Sequence, residues 1–168
     1  MIDLDGLTAT LRRLNALRHG AAGPSRREQL RVLEDTVDQI FGASRSLAVY
    51  GSLVPGGSNH HLVQPLGGEW IRGYVEGERY ETGWGAPQGY AAMRWIPGAP
   101  PVDVHVLVTP ALADFWPTLD AFEGSDYRRS LVPVLRAGQL VAIANIYECR
   151  HCAAPRVASG AAGKPGRT

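Results

Sequence analysis

The sequence predicts an α+β fold in which two helices precede a sheet. Between residues 4 and 41, leucines and other apolar residues recur every three or four positions, as on one face of a helix. From residue 70 onward the pattern changes to the alternation that is typical of strands. The two parts meet at residues 46–59, SLAVYGSLVPGGSN, where a short apolar run breaks into a turn rich in Gly and Ser. With 168 residues, 45% of them apolar, the chain can bury one sizeable core.

Two amphipathic helices are predicted in the first quarter of the chain. The first runs from about Leu4 to Arg18, with leucines at positions 4, 7, 11, 14 and 17. The second begins at Ser25, which has Glu28 three residues later in the spacing of a capping box, and ends at Gly42. The apolar faces are narrow, so the sequence leaves open whether the helices pack as a hairpin against the sheet or against a second subunit in a homodimer.

The remaining sequence predicts five more strands. The first of them, Trp70–Glu81, contains Gly73 and Gly77, which suggests the kind of bend that curves a sheet into a barrel. Two strands follow at residues 90–96 and 102–108, separated by a Pro-rich turn. The last two, at 129–136 and 139–148, form a hairpin around Ala137 and Gly138.

A short helix is predicted between these pairs of strands. Asp114 is its expected N-cap, Pro117 falls in its first turn, and Gly124 ends it. Leu119 and Phe122 are expected to face the core. The chain thus divides into an N-terminal helical extension (1–45), a main domain (46–152) and a tail (153–168). The tail has too little apolar surface to fold, so we expect it to be disordered.

Composition argues against several classes of protein. The formal net charge is +1 and the arginines are scattered among acids, which disfavours a nucleic-acid partner. The N-terminus has acids where a secretion signal needs bases, and no apolar run approaches the ~18 residues of a membrane span. A cytoplasmic protein with no membrane partner is therefore expected.

Cys149 and Cys152 form a lone C-x-x-C pair at the end of the last predicted strand. A redox pair normally lies where a strand feeds a helix, and a zinc site normally needs a second Cys or His pair. We therefore expect neither a metal nor another cofactor, and redox or metal chemistry is the minor alternative.

The turn after the first strand is the first candidate site. Tyr50, Gly51, Ser52 and Leu53 carry no charged side chain, and Gly51 allows a ligand to approach the backbone closely. Successive amides of such a turn can form a nest for a carboxylate or an oxyanion. The alternative is an ordinary turn at the end of a strand.

Glu123 is the second candidate. It ends its helix, where the macrodipole disfavours a carboxylate, and partial burial beside Phe122 and Gly124 would disfavour the charge further. Both effects raise the pKa toward the range of a general acid and base, whereas the alternative is an exposed acid at a helix end. Asp120, three residues earlier, is either a solvated acid or a structural hydrogen-bond acceptor.

Together these stretches resemble the gamma-glutamyl cyclotransferase-like family, which includes the plant avirulence-induced proteins. The resemblance lies in five motifs in order: VYGSL at 49–53, Pro-Gly at 55–56, Asn-His at 59–60, Gly-Trp at 83–84 and LDAFEGSDYRR at 119–129. It covers about residues 46–149. The N-terminal helices are the departure from the family pattern, since the family core does not need them.

The resemblance implies a compact, mixed-strand β-barrel with flanking helices and a cavity between the turn and the catalytic glutamate. It implies that Tyr50 to Leu53 hold a gamma-glutamyl group, that Glu123 is the general acid and base, and that Tyr127 and Tyr147 line the pocket. Either tyrosine could instead be an ordinary packing residue.

The implied reaction is intramolecular. The α-amine of the substrate attacks its own γ-amide and releases 5-oxoproline and an amine, so no protein nucleophile or metal is needed. The expected partner is a small gamma-glutamyl amine, amino acid or peptide. The rival hypothesis is a binding or interaction module that keeps the same fold and cavity but does not catalyse.

Overall fold

The computed structural model describes residues 2–80 and 91–152. Helices α1 (Leu4–His19) and α2 (Pro24–Phe41) precede the sheet, as predicted. Strand β1 spans Ser46–Val49 and leads into the predicted turn. The remaining elements are β2 (Glu69–Tyr80), β3 (Ala92–Trp95), β4 (Pro101–Val108), α3 (Leu112–Glu123), β5 (Tyr127–Arg136) and β6 (Gln139–Cys149).

Five of the strands close into a barrel of mixed direction, and β3 extends it at one edge. The order is β3-β2-β4-β1-β6-β5, with β1 and β6 parallel and the other neighbours antiparallel. Tyr74 pairs with Leu135, which joins β2 to β5 and closes the ring. A Cβ on Gly73 would lie 2.6 Å from Val134 and 2.8 Å from the Leu135 carbonyl oxygen, so the closure requires glycine at this position. The predicted barrel is confirmed.

The interior of the barrel is filled mainly by small and β-branched side chains. Ten buried residues form this cluster: Ala48, Val75, Met93, Val102, Val104, Val106, Val132, Val134, Ala144 and Ile146. A second cluster lies where α3 covers β1 and β6, and it includes Leu47, Trp116 and Leu119. The two clusters lie on opposite faces of β1, since Ala48 belongs to the first and Leu47 and Val49 belong to the second.

Helix α1 packs directly against the barrel wall. Leu11 and Leu14 are fully buried in a cluster with Leu131 and Ile143. Asn15 of the same helix is hydrogen-bonded to β5. Its side-chain Nδ2 donates to the Leu131 carbonyl and its Oδ1 accepts from the Leu131 amide, both at 2.8 Å. Asn15 thus supplies the partner that a neighbouring strand would supply to β5. Of the two packing modes that the sequence left open, the described chain has α1 against the sheet. The domain boundary at residue 45 stays a prediction.

Two predicted caps are wrong. Helix α2 begins at Pro24 after Gly23, so Ser25 is helical and its hydroxyl accepts from Gln29 instead of a backbone amide. Proline at the first helical position needs no N–H partner, which favours this earlier start. Helix α3 likewise begins before Asp114, so that this acid lies in the first turn and not at the N-cap. The earlier start also places Pro117 inside the helix and not in its first turn.

Phe122 was predicted to face the core, and this is also wrong. Its side chain is 42% exposed, whereas Leu119 is buried. The buried face of α3 is formed by Leu112, Trp116 and Leu119, at steps of four and three residues. The next position of that face, four residues on, is Glu123 and not Phe122.

Candidate active site

The turn after β1 holds the four residues predicted to bind the ligand. Leu53 is buried beneath the turn, whereas Tyr50, Gly51 and Ser52 are half-buried. The backbone amides of Ser52 and Leu53 donate no hydrogen bond to any residue in ranges 2–80 and 91–152. A Cβ on Gly51 would lie 3.8 Å from Ala91, so packing against that residue does not require glycine. The turn presents backbone donors that an anionic ligand can use.

Asn59 and His60 hold this turn in shape. The Asn59 amide donates to the Ser52 carbonyl and its side-chain Nδ2 donates to Ser52 Oγ, both at 2.9 Å. His60 Nδ1 lies 3.2 Å from the Leu53 carbonyl oxygen, and its ring packs on Trp70 with centroids 5.6 Å apart. The second half of the motif therefore has a structural role, since it fixes the backbone of the first half.

Glu123 lies at the end of α3 and continues the buried face of that helix. Burial raises the pKa of its carboxyl group to about 7. Within the described chain no donor forms a hydrogen bond with this carboxylate, so no local partner offsets the cost of burying its charge. The structure agrees with the expected direction of the pKa, and burial is the cause.

Three tyrosine hydroxyls lie within electrostatic range of the Glu123 carboxylate. Burial raises the pKa of Tyr50, Tyr127 and Tyr147, and the negative charge of Glu123 raises each of them further. All three therefore stay protonated at neutral pH and can donate hydrogen bonds. The Tyr50 hydroxyl donates to the Tyr147 carbonyl, and the Tyr147 hydroxyl donates to Asp120, each at 2.7 Å. The Tyr127 hydroxyl has no hydrogen-bond partner among the described residues.

Asp120 is a structural acceptor, which settles the alternative that the sequence left open. Besides the Tyr147 hydroxyl, it accepts from Nε and an Nη of Arg129 at 3.1 and 3.2 Å. The Arg129 guanidinium also lies over the Trp116 ring, 4.5 Å from its centroid. Asp120 thus links α3 to Tyr147 on β6 and to Arg129 on β5, and it holds the Tyr147 hydroxyl in place.

Glu148 is a buried carboxylate that sequence analysis did not select. It accepts from the Trp95 amide at 2.7 Å and from the Ser130 hydroxyl, and Arg128 Nε lies 3.7 Å away. His19 Nε2 lies 3.4 Å from the same hydroxyl. Alternation along β6 places residue 148 on the same side as the interior residues Ala144 and Ile146, and this signal could have found it.

Some predicted features lie outside the described residues: Glu81, the Gly83–Trp84 pair, Tyr90 and the tail from residue 153. The remaining candidates converge. Tyr50 brings the turn to the same carboxylate that Tyr127 and Tyr147 face. Chemically, the candidate site combines an acid that titrates near neutral pH, neutral hydroxyl donors, and backbone amides that have no partner within residues 2–80 and 91–152.

Comparison of the sequence with models of protein families shows which family the chain belongs to. The model of the gamma-glutamyl cyclotransferase, AIG2-like family matches residues 47–161, well over half of the chain. The chain belongs to this family. The family match covers the turn, Glu123 and all three tyrosines, whereas α1 and α2 lie before it. A search of curated proteins found no match.

Solved structures that are similar to this chain include proteins from a plant, a bacterium and a yeast. A protein of Arabidopsis thaliana is 22% identical, with a TM-score of 0.50 over 66% of this chain and 72% of its own. A uropathogenic E. coli-specific protein is 20% identical, with a TM-score of 0.48 over 62% and 78%. An allophanate hydrolase of Kluyveromyces lactis is 16% identical, with a TM-score of 0.49 over 62%, and this chain spans 17% of its length. At these identities the likeness concerns the fold alone.

Cys149 ends β6, and Cys152 follows it by three residues. Cys149 and Cys152 form a disulfide. Such bonds are rare in the cytoplasm, so the cytoplasmic location stays a prediction. In residues 2–80 and 91–152 no group of three or more His, Cys, Asp and Glu residues is placed to hold a metal ion. None of the helices in these ranges is long and apolar enough to cross a membrane.

Proposed function

We propose that the protein is a gamma-glutamyl cyclotransferase-type enzyme with Glu123 as its general acid and base. The observation that best supports this is the state of the Glu123 carboxyl group, which is half-buried, accepts no hydrogen bond from the described residues and has a pKa raised to about 7. A group with this pKa can both accept and release a proton at neutral pH. A glutamate kept only for structure would be expected to have a partner, as Asp120 and Glu148 do.

The reaction requires two proton transfers. Glu123 takes a proton from the α-ammonium group of the substrate, because only the free amine is a nucleophile. The amine nitrogen then attacks the γ-carbonyl carbon, a C–N bond forms, and the five-membered ring closes. When the original amide C–N bond breaks, Glu123 gives this first proton to the leaving nitrogen. The regenerated carboxylate then takes the second proton from the ring nitrogen, which became positively charged in the attack, and passes it to the departing amine, leaving 5-oxoproline.

Negative charge develops on the carbonyl oxygen during the attack. The amides of Ser52 and Leu53 are the proposed donors to this oxyanion or to the substrate carboxylate, since they have no described partner. The Tyr127 hydroxyl is proposed to donate a hydrogen bond to the substrate. Tyr50 and Tyr147 are proposed to line the part of the site that holds the glutamyl half of the substrate. Because the nucleophile and the electrophile belong to one molecule, positioning supplies much of the acceleration.

The test is 5-oxoproline release by the purified full-length protein. The panel contains a gamma-glutamyl amine, a gamma-glutamyl amino acid and a gamma-glutamyl peptide, and we expect turnover of at least one class. The control is the same panel with the glutamyl α-amine acetylated, which removes the nucleophile and should abolish release. Binding of 5-oxoproline without release from any substrate would contradict the enzyme and favour the binding module.

A further inference from the structure

A cavity of about 390 Å³ opens beside the candidate active site. It lies between α1, α2, the C-terminal end of α3 and the ends of β5 and β6. Four arginines and two acids line it: Arg18, Arg128, Arg129, Arg150, Glu34 and Asp120. Its volume is within the range of small-molecule sites, at roughly 300–1,000 Å³, and exceeds what a lone ion needs.

Two of the arginines are neutralised by the two acids. Arg18 Nε lies 2.7 Å from a Glu34 carboxylate oxygen. Arg129 makes a two-nitrogen contact with Asp120. These pairs hold the guanidinium groups of Arg18 and Arg129 in place, but they leave no acid among the lining residues for the other two arginines.

Arg128 and Arg150 are therefore the groups available to a ligand. Arg150 donates from Nε to the Tyr127 carbonyl at 3.0 Å and has no acidic partner among the described residues. The buried Nε of Arg128 has no hydrogen-bond partner in the described chain, and its contact with Glu148 is long, at 3.7 Å. Glu148 accepts from Trp95 and Ser130 and is not a lining residue, so the lining itself has four arginines against two acids and a net positive charge.

His19 is consistent with this potential. Burial lowers the pKa of its imidazole, the hydrogen bond with the Arg129 carbonyl and the charge of Glu148 raise it, and the charges of Arg128 and Arg18 lower it further. A neutral imidazole can still donate or accept a hydrogen bond at the cavity wall without adding charge. Helix α1 contributes both His19 and Arg18, so the N-terminal extension completes one side of the cavity.

The cavity and the candidate active site share walls. Tyr127 and Tyr147 line the cavity and also face Glu123. Gly124, another lining residue, directly follows Glu123. A ligand whose reacting amide lies at Glu123 can therefore extend past the two tyrosines into the arginine-lined space.

We propose that this cavity binds an oxyanion group, a carboxylate or a phosphate, on the amine half of the substrate, and that Arg128 and Arg150 select it. Guanidinium groups match both oxyanions in geometry and charge. The binding of an anion follows from the cavity itself, whereas its place in substrate selection rests on the proposed function.

Anion binding is tested first, without turnover. Calorimetric titration of the full-length protein with inorganic phosphate is compared among wild type, Arg150→Gln, Arg128→Gln and Arg31→Gln. Arg31 is the matched control because it lies on α2 with a 62% exposed side chain and does not line the cavity. We expect binding to weaken about ten-fold in each cavity variant, from the loss of a charge-assisted contact, and to be unchanged in the control.

Substrate selection is tested with matched pairs. A gamma-glutamyl amino acid with its free carboxylate is compared with its carboxyl amide, and gamma-glutamyl phosphoethanolamine with gamma-glutamyl ethanolamine. In wild type, kcat/KM should be about ten-fold higher for the anionic member of at least one pair, and this preference should disappear in Arg150→Gln. Whichever pair shows the preference identifies the oxyanion. Arg128→Gln keeps the test decisive if the first variant folds poorly.

The two proposals fail in different ways. Phosphate binding that is lost in the cavity variants, together with no 5-oxoproline release from any compound, would confirm the anion site and contradict the proposed function. Release without any preference for the anionic member, or phosphate binding equal in all four proteins, would overturn the cavity proposal and leave the proposed function standing.

Discussion

The C-terminal end of α3 has half-buried polar groups and the seam between α1 and β5 has buried ones, and the two regions also differ in how those groups are partnered. At the end of α3, Glu123 and the Tyr127 hydroxyl have no hydrogen-bond partner in the described chain. In the seam, Asn15 pairs with both backbone groups of Leu131, and Glu148 is bonded to two donors. The seam is defined by these residues: Asn15, His19, Ser130, Leu131 and Glu148.

The seam has the pairing expected of a structural contact, whereas the end of α3 has the properties expected of a ligand site. Buried polar groups cost free energy unless they are paired, so native proteins pair nearly all of them. The seam follows that rule and joins the N-terminal helix to the barrel. Among the described residues the end of α3 departs from it, and in the proposed function a ligand supplies the missing partner.

The largest expected effect is on catalysis, from a change at the C-terminal end of α3. Glu123→Gln keeps the shape of the side chain but cannot accept the ammonium proton, so we expect 5-oxoproline release to fall by about 10²-fold or more. Asp114→Asn, an exposed carboxylate on the same helix, is the control and should have little effect. Turnover of the Glu123 variant within a few-fold of wild type would exclude this residue as the base.

In the paired seam the expected effect is on stability. Glu148→Ala leaves the Trp95 amide and the Ser130 hydroxyl without their acceptor and removes the negative charge 3.7 Å from Arg128 Nε, and we expect a loss of about 3 kcal/mol in the free energy of unfolding. Urea denaturation measures it, with the exposed Glu69→Ala as control. A loss no greater than that of the control would mean that the network is not structural.

Asn15→Ala tests the same seam from the side of the helix. The variant leaves the Leu131 N–H and C=O buried without partners, which should cost about 2 kcal/mol. Arg12→Ala changes an exposed position of the same helix and serves as the control in thermal or urea unfolding. If both variants are equally stable, α1 is an accessory that the barrel does not need.

The smallest expected effect is the dependence of stability on pH. The folded-state pKa of Glu123, about 7, exceeds its usual value of 4.5, so the folded protein binds this proton more tightly than the unfolded chain. Stability should therefore fall as pH rises from about 4.5 to about 7. Each pKa unit corresponds to about 1.4 kcal/mol, and contact with solvent reduces the expected loss to about 1–2 kcal/mol.

The comparison for this prediction is again Glu123→Gln. Because the amide does not titrate, the variant should gain stability relative to wild type at pH 8 and much less at pH 4. Parallel unfolding curves for the two proteins at both pH values, with a constant difference, would show that the carboxyl group is not shifted by burial.

Local patterns in the sequence predicted most of the helices and strands and the candidate site residues that lie in two short motifs. Leucine spacing predicted α1 and α2, alternation predicted the strands, and the resemblance at residues 49–53 and 119–129 selected the turn, Glu123 and the tyrosines. Such patterns work because helical and strand periods relate neighbouring residues. Phe122 was misplaced because the helical period lets either residue 122 or residue 123 share a face with Leu119, and packing on the barrel selected the face that continues to residue 123.

Only the tertiary structure decided what lies between distant segments. Asn15 and Leu131 are 116 positions apart, and the closure of the barrel joins Tyr74 to Leu135. The arginine-lined cavity likewise combines α1 with β5 and β6. No local period relates these residues, because their contacts arise only when the packed barrel brings the helix and the strands together.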